Sequence, residues 1–273
     1  MAKIKRGSVE KLYAQTEKIN LVDTLDATQA SEIVSKALRG YDIDQHSRKD
    51  WMETAEEGLK IAEQIIDEKT FPWPGAANIK YPMVATAAIQ FASRAYPQIL
   101  DSKGGFVKAR VYGQDPTGQK EAKAKRVSGH MSWQLQEQMV EWEPEMDTLL
   151  HCLPVVGTWF KKTYRCAVKE RNVSENVNPF ALVVNNKHKG DLTTCRRITH
   201  EIWLYKNDVI EREFAGIFAA DTSTHFRVDV DDEAELFLEQ HMWFDLDGDG
   251  YEEPYIATIH RESQTLARFV AVS

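Results

Sequence analysis

The densest group of residues able to do chemistry is Asp245-Leu246-Asp247-Gly248-Asp249-Gly250, three carboxylates at alternate positions closed by a glycine. This order copies the first half of a calcium-binding loop, in which positions one, three and five turn oxygen toward one hard cation and the glycine makes the sharp turn. The second half departs from that pattern. Position twelve, which needs a bidentate glutamate, is Ile256, and the flanking residues alternate like strands instead of running as helices. The spacing therefore predicts an acidic hairpin turn whose aspartates accept their own backbone N–H groups, with weak Ca2+ binding as the second reading. Two function classes hang on that second reading: a Ca2+-dependent binding module, and a metal-dependent nuclease using the same Asp245, Asp247 and Asp249.

Other chemistries lack their residues. The eight histidines form no His-x-x-x-His or His-Glu-x-x-His pair, so catalytic zinc has no ligand set, and no Gly-x-x-x-x-Gly-Lys-Ser/Thr run offers a phosphate cradle. Cys152, Cys166 and Cys195 are odd in number and widely spaced, which fits neither a disulfide framework nor a zinc site. Reduced, mostly buried thiols are expected, with Cys152 inside the apolar run LLHCLPVVG. Lys120, Lys123, Lys125 and Arg126 fall at helical spacing and read as a solvated face. Trp133, Trp142, Trp159, Trp203 and Trp243 are expected in the core, a subunit interface being the alternative. No catalytic residue and no required cofactor is predicted.

The elements that position the acidic turn are the strands on either side, ELFLEQHMWFDL (235–246) and EEPYIATIHRE (252–262), with QTLARFVAVS (264–273) as a third antiparallel member. Upstream, the chain begins with helices. Asp26 and Gln29 form a capping box for a helix over 26–39 that Gly40 ends. Trp51, Ala55, Leu59, Ala62 and Ile66 make the apolar stripe of a second helix over 44–68, roughly 35 Å long. FPWPGAAN (71–78) is a rigid loop. Residues 81–100 form an Ala-rich helix, apolar nearly all round, buried against several neighbours or at a subunit interface. FVKARVYG (106–113) alternates as a strand, and 118–150 holds two helices divided near Pro144. From 158 onward TWFKKTYRCAVK, NPFALVVNN and LTTCRRITHEIWLY read as strands, with a short helix over 207–218. The class is α+β, N-terminal helices followed by a mixed region with antiparallel strands. The division expected is 1–105, helical, and 106–273, mixed.

A net charge of −8 argues against a surface that grips phosphates, because nucleic-acid readers release counterions from a basic face. The basic N-terminus is followed by no apolar stretch, and no apolar run is long enough to cross a membrane. Such composition predicts a folded protein without membrane partners.

Three blocks in combination carry a resemblance: FPWPGAANIKYPMVATAAIQFASRAYPQIL (71–100), HMSWQLQEQMVEWEPEMDTLLHCLPVVGTWFKKTYR (130–165) and WFDLDGDGYEEPYIATIHRESQTLARFV (243–270). From about residue 45 to its end the chain resembles the N-terminal part of portal proteins of short-tailed bacteriophages. The resemblance implies a portal wing-type region leading toward stem and clip. It also implies a virion protein at one capsid vertex, assembled in the host cytoplasm as a ring of twelve copies. The partners implied are the terminase large subunit, the major capsid protein, tail adaptor proteins and double-stranded DNA that passes through without sequence specificity. Its roles would be genome packaging, head–tail connection and genome ejection, none of them enzymatic. Members of that family are longer, so a truncated or split portal is expected. A closed ring needs a heterologous interface, for which Trp73, Tyr81, Phe91 and Tyr96 are the candidates.

Overall fold

The computed structural model describes residues 19–65, 71–74, 76, 81–100, 106–227 and 233–272. Its described residues form an α+β protein, with helices leading and antiparallel strands following. In chain order the helices are α1 (Ala27–Ser47), α2 (Lys49–Ala62), α3 (Met83–Ile99), α4 (Gln119–Trp133) and α5 (Trp142–Val156). Then come β1 (Phe160–Cys166), β2 (Arg171–Val177), β3 (Leu182–Val184), β4 (Ile198–Leu204), α6 (Lys206–Phe214), β5 (Glu235–Phe244), β6 (Glu253–His260) and β7 (Thr265–Ala271). They fall into two compact units, one from the stretches 1–51 and 180–273, the other from 52–179. The first unit is thus assembled from both ends of the sequence, and the boundary expected at residue 105 falls inside the second.

In the first unit, β3-β4-β5-β6-β7 form one antiparallel sheet in sequence order. Helix α1 begins at the expected capping box: Gln29 N donates to Asp26 Oδ1 at 2.7 Å and Asp26 N to Gln29 Oε1 at 3.2 Å. It lays Ile33, Val34, Ala37, Leu38 and Tyr41 on one sheet face, against Leu238, Met242, Tyr255, Ile259 and Phe269. Each large aliphatic side chain fully buried in this way contributes about 1.5–3 kcal/mol. The far face holds a second cluster, in which Val209 of α6, Phe218 and Phe226 pack on Phe237 and Ala267. Asn20 closes the β7 edge. Its Oδ1 accepts Phe269 N at 3.0 Å while its Nδ2 donates to Ala267 O at 3.1 Å, and Leu21 N donates to Phe269 O at 2.8 Å. Backbone groups that would otherwise pair with a foreign strand are thereby occupied.

Several expectations need correction. Gly40 does not end α1, which continues seven residues further to Ser47. Gly40 is there because Arg197 crosses the helix: a Cβ at that position would stand 2.6 Å from both Cδ and Nε of Arg197. The second helix starts at Lys49, not Asp44. Asp44 sits in the last turn of α1, and a break follows at Arg48, whose Nη1 donates to Leu182 O at 2.6 Å. Ile66, the end of the expected stripe, lies outside the described residues.

The second unit contains the remaining helices and a two-stranded ribbon of β1 and β2. FVKARVYG is not a strand. It lies along α4, where Val107 N donates to Ser132 Oγ at 3.2 Å and Ser128 Oγ donates to Val107 O, so side-chain hydroxyls replace a partner strand. The break between α4 and α5 falls at Met139–Glu141 after a π turn, with Pro144 in the first turn of α5, where its missing donor costs nothing. Strand β2 was not expected, because RNVSENV is polar. Its donors find carboxylates at the start of α5: Asn176 N reaches Glu145 Oε2 at 2.9 Å, and Arg171 Nη1 reaches Oε1 of Glu141, the residue just before the helix, at 2.9 Å.

Candidate functional site

The acidic turn sits at one end of the first unit's sheet. Phe244 of β5 pairs with Glu253 of β6, so the eight residues between them form the hairpin loop. The expected self-capping is present. Asp245 Oδ1 accepts Gly248 N at 2.8 Å and Asp249 N at 3.2 Å, Asp245 Oδ2 accepts Gly250 N at 2.8 Å, and Asp249 Oδ1 accepts Tyr251 N at 2.9 Å. Gly248 and Gly250 have φ of 72° and 87°, the left-handed region that a side chain would strain. The three aspartates each offer a carboxylate oxygen within 4.8 Å of the others. Glu252 pairs with Lys36 at 2.7 Å and Arg196 at 2.8 Å, which hold its carboxyl below the usual range, the Lys36 hydrogen bond first. Its neighbour Glu253 is different. That residue is only 6% exposed, and no donor among the described residues reaches its Oε2.

The candidate interface residues belong to the second unit. Trp73, Tyr81 and Phe91 are all exposed. Helix α3 buries only an alanine ridge, Ala88 and Ala92, and packs on α5, leaving Met83 70% and Phe91 43% exposed. Within the described chain α3 is therefore not buried against several neighbours. Tyr96 differs from the other three, since its hydroxyl donates to Glu143 Oε1 of α5, a bond that pushes the phenol up to about 12.

The tryptophans correct another expectation. None of the five is buried, and Trp203 of β4 is 63% exposed. Burial raises the thiols of Cys152 and Cys195, and Cys195 Sγ also donates to Arg197 O at 3.0 Å, so neither is a poised nucleophile. Lys120, Lys123, Lys125 and Arg126 stand exposed along α4, as a solvated face requires. Among the described residues no helix is long and apolar enough to cross a membrane.

One buried titratable residue lies away from the turn. His260 has no exposed side-chain surface and stacks on Phe237 and Phe226 with ring centroids 4.8 and 5.5 Å away. Its Nδ1 lies 2.7 Å from Ser263 Oγ. Its Nε2 approaches Glu235 Oε2 to 2.5 Å without the alignment of a hydrogen bond. Burial depresses the imidazole below its ordinary value and outweighs the opposing pull of Glu235 and Glu262, while His225 adds to the depression. A folded-state value below the unfolded one means that the unfolded chain takes up a proton first as pH falls through about 6.5. Stability at His260 is thus complete above that pH and declines below it. His260→Gln is expected to flatten the loss of Tm between about pH 7.5 and about pH 5.5. An unchanged pH slope in thermal melts of the variant would refute the assignment.

No protein-family model matches this sequence, and comparison with curated proteins found none that matches it.

Proposed function

We propose that this chain is a non-enzymatic virion protein, the N-terminal part of a portal-type ring that serves genome packaging and head–tail connection. The observation that carries the reading is the outward face of α3, lying inside the first of the three blocks that resemble portal proteins. Met83, Val84 and Phe91 are exposed there, with Tyr81 and Trp73 just upstream. Large apolar side chains exposed along one helix mark a candidate interaction surface on a folded protein. In a ring the same patch meets a different patch on the next copy, the heterologous contact that cyclic closure requires. The α+β architecture and the −8 charge are compatible with a ring whose acidic rim lets duplex DNA slide past. Terminase, major capsid protein and tail adaptors would then be its neighbours at the capsid vertex.

The test is a Met83→Asp, Phe91→Asp double variant. Both side chains are exposed on the single chain, so the fold tolerates the change. Light scattering of the variant is expected to give the 31.2 kDa of one chain, with an unchanged far-UV spectrum, where the unmodified protein gives a multiple of it. A double variant that keeps the unmodified protein's mass would remove α3 from the interface.

A further inference from the structure

We propose that residues 106–113 form an interaction edge for an acidic peptide, which pairs with them main chain to main chain while Lys108 and Arg110 read its alternate carboxylates. This goes beyond the ring reading and does not depend on it.

The segment FVKARVYG has the composition and alternation of a strand, yet no strand stands beside it among the described residues. Its β-branched and aromatic residues favour a pleated, paired backbone. The serine hydroxyls of α4 satisfy Val107 alone. From Lys108 to Tyr112 no hydrogen bond within the described residues reaches the main chain, and all of these residues but Val111 are exposed. A row of open N–H and C=O groups on such a segment is the template that an added strand uses. Tyr112 is 97% exposed, so the fold itself draws nothing from its ring.

The helix side of the segment is open as well. The cleft there measures about 780 Å³, within the range of ligand-binding clefts, and Ala124, Ser128, Gly129 and Ser132 form its α4 wall. Gly129 lies in the interior of α4, where glycine costs stability relative to alanine, and a Cβ there would meet nothing within 4 Å. Packing within the chain therefore does not require this glycine, whereas close approach of a second backbone would use it.

Charge selects the occupant. Between Phe106 and Trp133 six lysines and arginines stand against two carboxylates, in a chain of net charge −8. Among the described residues none of the six enters an ion pair. Lys108 and Arg110 are two apart, the spacing at which strand residues share one side, and Lys125 lines the cleft with Lys108. The two carboxylates, Asp115 and Glu121, also line it, and Asp115 Oδ2 is taken up by Glu121 N at 2.9 Å. An incoming strand with carboxylates at alternate positions sets them against Lys108 and Arg110 and lays its apolar residues by Ala109 and Val111. Duplex DNA offers phosphates but no row of main-chain groups for the open edge, so the peptide answers both features and the duplex only one.

Fluorescence anisotropy of a labelled, end-blocked peptide of about eight residues alternating valine and aspartate, titrated with the full 273-residue chain, tests the edge. Saturable binding is expected with Kd on the order of 10⁻⁴ M, weakening as salt is added. The double variant Lys108→Glu, Arg110→Glu changes two exposed residues, so it should keep the far-UV spectrum while weakening binding at least about tenfold. Replacing the valines of the peptide by proline keeps every charge but removes main-chain donors, and should abolish binding. The proposal is overturned by no binding at about 1 mM chain, by wild-type affinity in the double variant, or by a proline peptide that binds as well. Duplex DNA that binds more tightly than the peptide, with that binding lost in the double variant, would also overturn it and assign the surface to nucleic acid.

Discussion

Asp44→Ala is expected to lower the free energy of unfolding by about 3–5 kcal/mol, the range for removing one partner of a buried ion pair. Asp44 is 1% exposed and lies in the last turn of α1, where a negative charge opposes the helix dipole. What holds it there is a convergent set of donors. Arg197 Nε reaches Oδ2 at 3.0 Å, Arg197 Nη2 reaches Oδ1 at 3.0 Å, and Asn185 Nδ2 reaches Oδ1 at 2.7 Å. The fork joins β4's leading segment and the end of β3 to the helix, and Gly40 makes room for the arginine. Alanine would strand the guanidinium over that helix with nothing to pair it. Replacing Arg197 by Met in the same chain should recover part of the loss, since an apolar pair avoids the unpaired charge. Urea denaturation measures both, and a loss under about 1 kcal/mol for Asp44→Ala would contradict this account.

The second large effect is Phe237→Ala, also about 3–5 kcal/mol, the range for emptying a packed aromatic site. Phe237 is fully buried at the centre of the far-face cluster, with ring centroids of Phe218, Phe226 and His260 at 5.9, 6.1 and 4.8 Å. Three rings from three separate segments meet on it, so none can collapse into the space without leaving its own anchor. Phe214, one residue type and one helix away, supplies the control. It is 89% exposed, and Phe214→Ala should stay within about 0.5 kcal/mol. Equal effects at the two positions would show that the far-face cluster does not stabilise the protein.

Local signals were legible in the sequence where local physics decides the outcome. The Asp26–Gln29 box, the β5–β6 hairpin and the period-two pattern of the last strands each depend on residues close in sequence, and each stands where it was expected. Long-range contacts were not legible. Gly40 looks like a helix stop until Arg197, far along the chain, is seen to need its missing side chain. Residues 106–113 alternate like a strand, yet serine hydroxyls on α4 take their hydrogen bonds. RNVSENV looks like a loop until Glu141, just before α5, and Glu145 within it meet its donors. At the turn, the three aspartates were plain from spacing, and they stand together as that spacing implies. The tryptophans were misplaced for a related reason: composition counts aromatic mass but does not say which face of a strand it occupies, and Trp203 faces outward.

In the proposed reading the exposed face of α3 joins copies of this chain into a ring. This is tested most directly by the solution mass of the unmodified protein, from light scattering coupled to size exclusion, with negative-stain images of the same fraction. The account predicts a closed ring of about a dozen copies with a central opening. A single species at the 31.2 kDa of one chain, unchanged across the accessible concentration range, would contradict it.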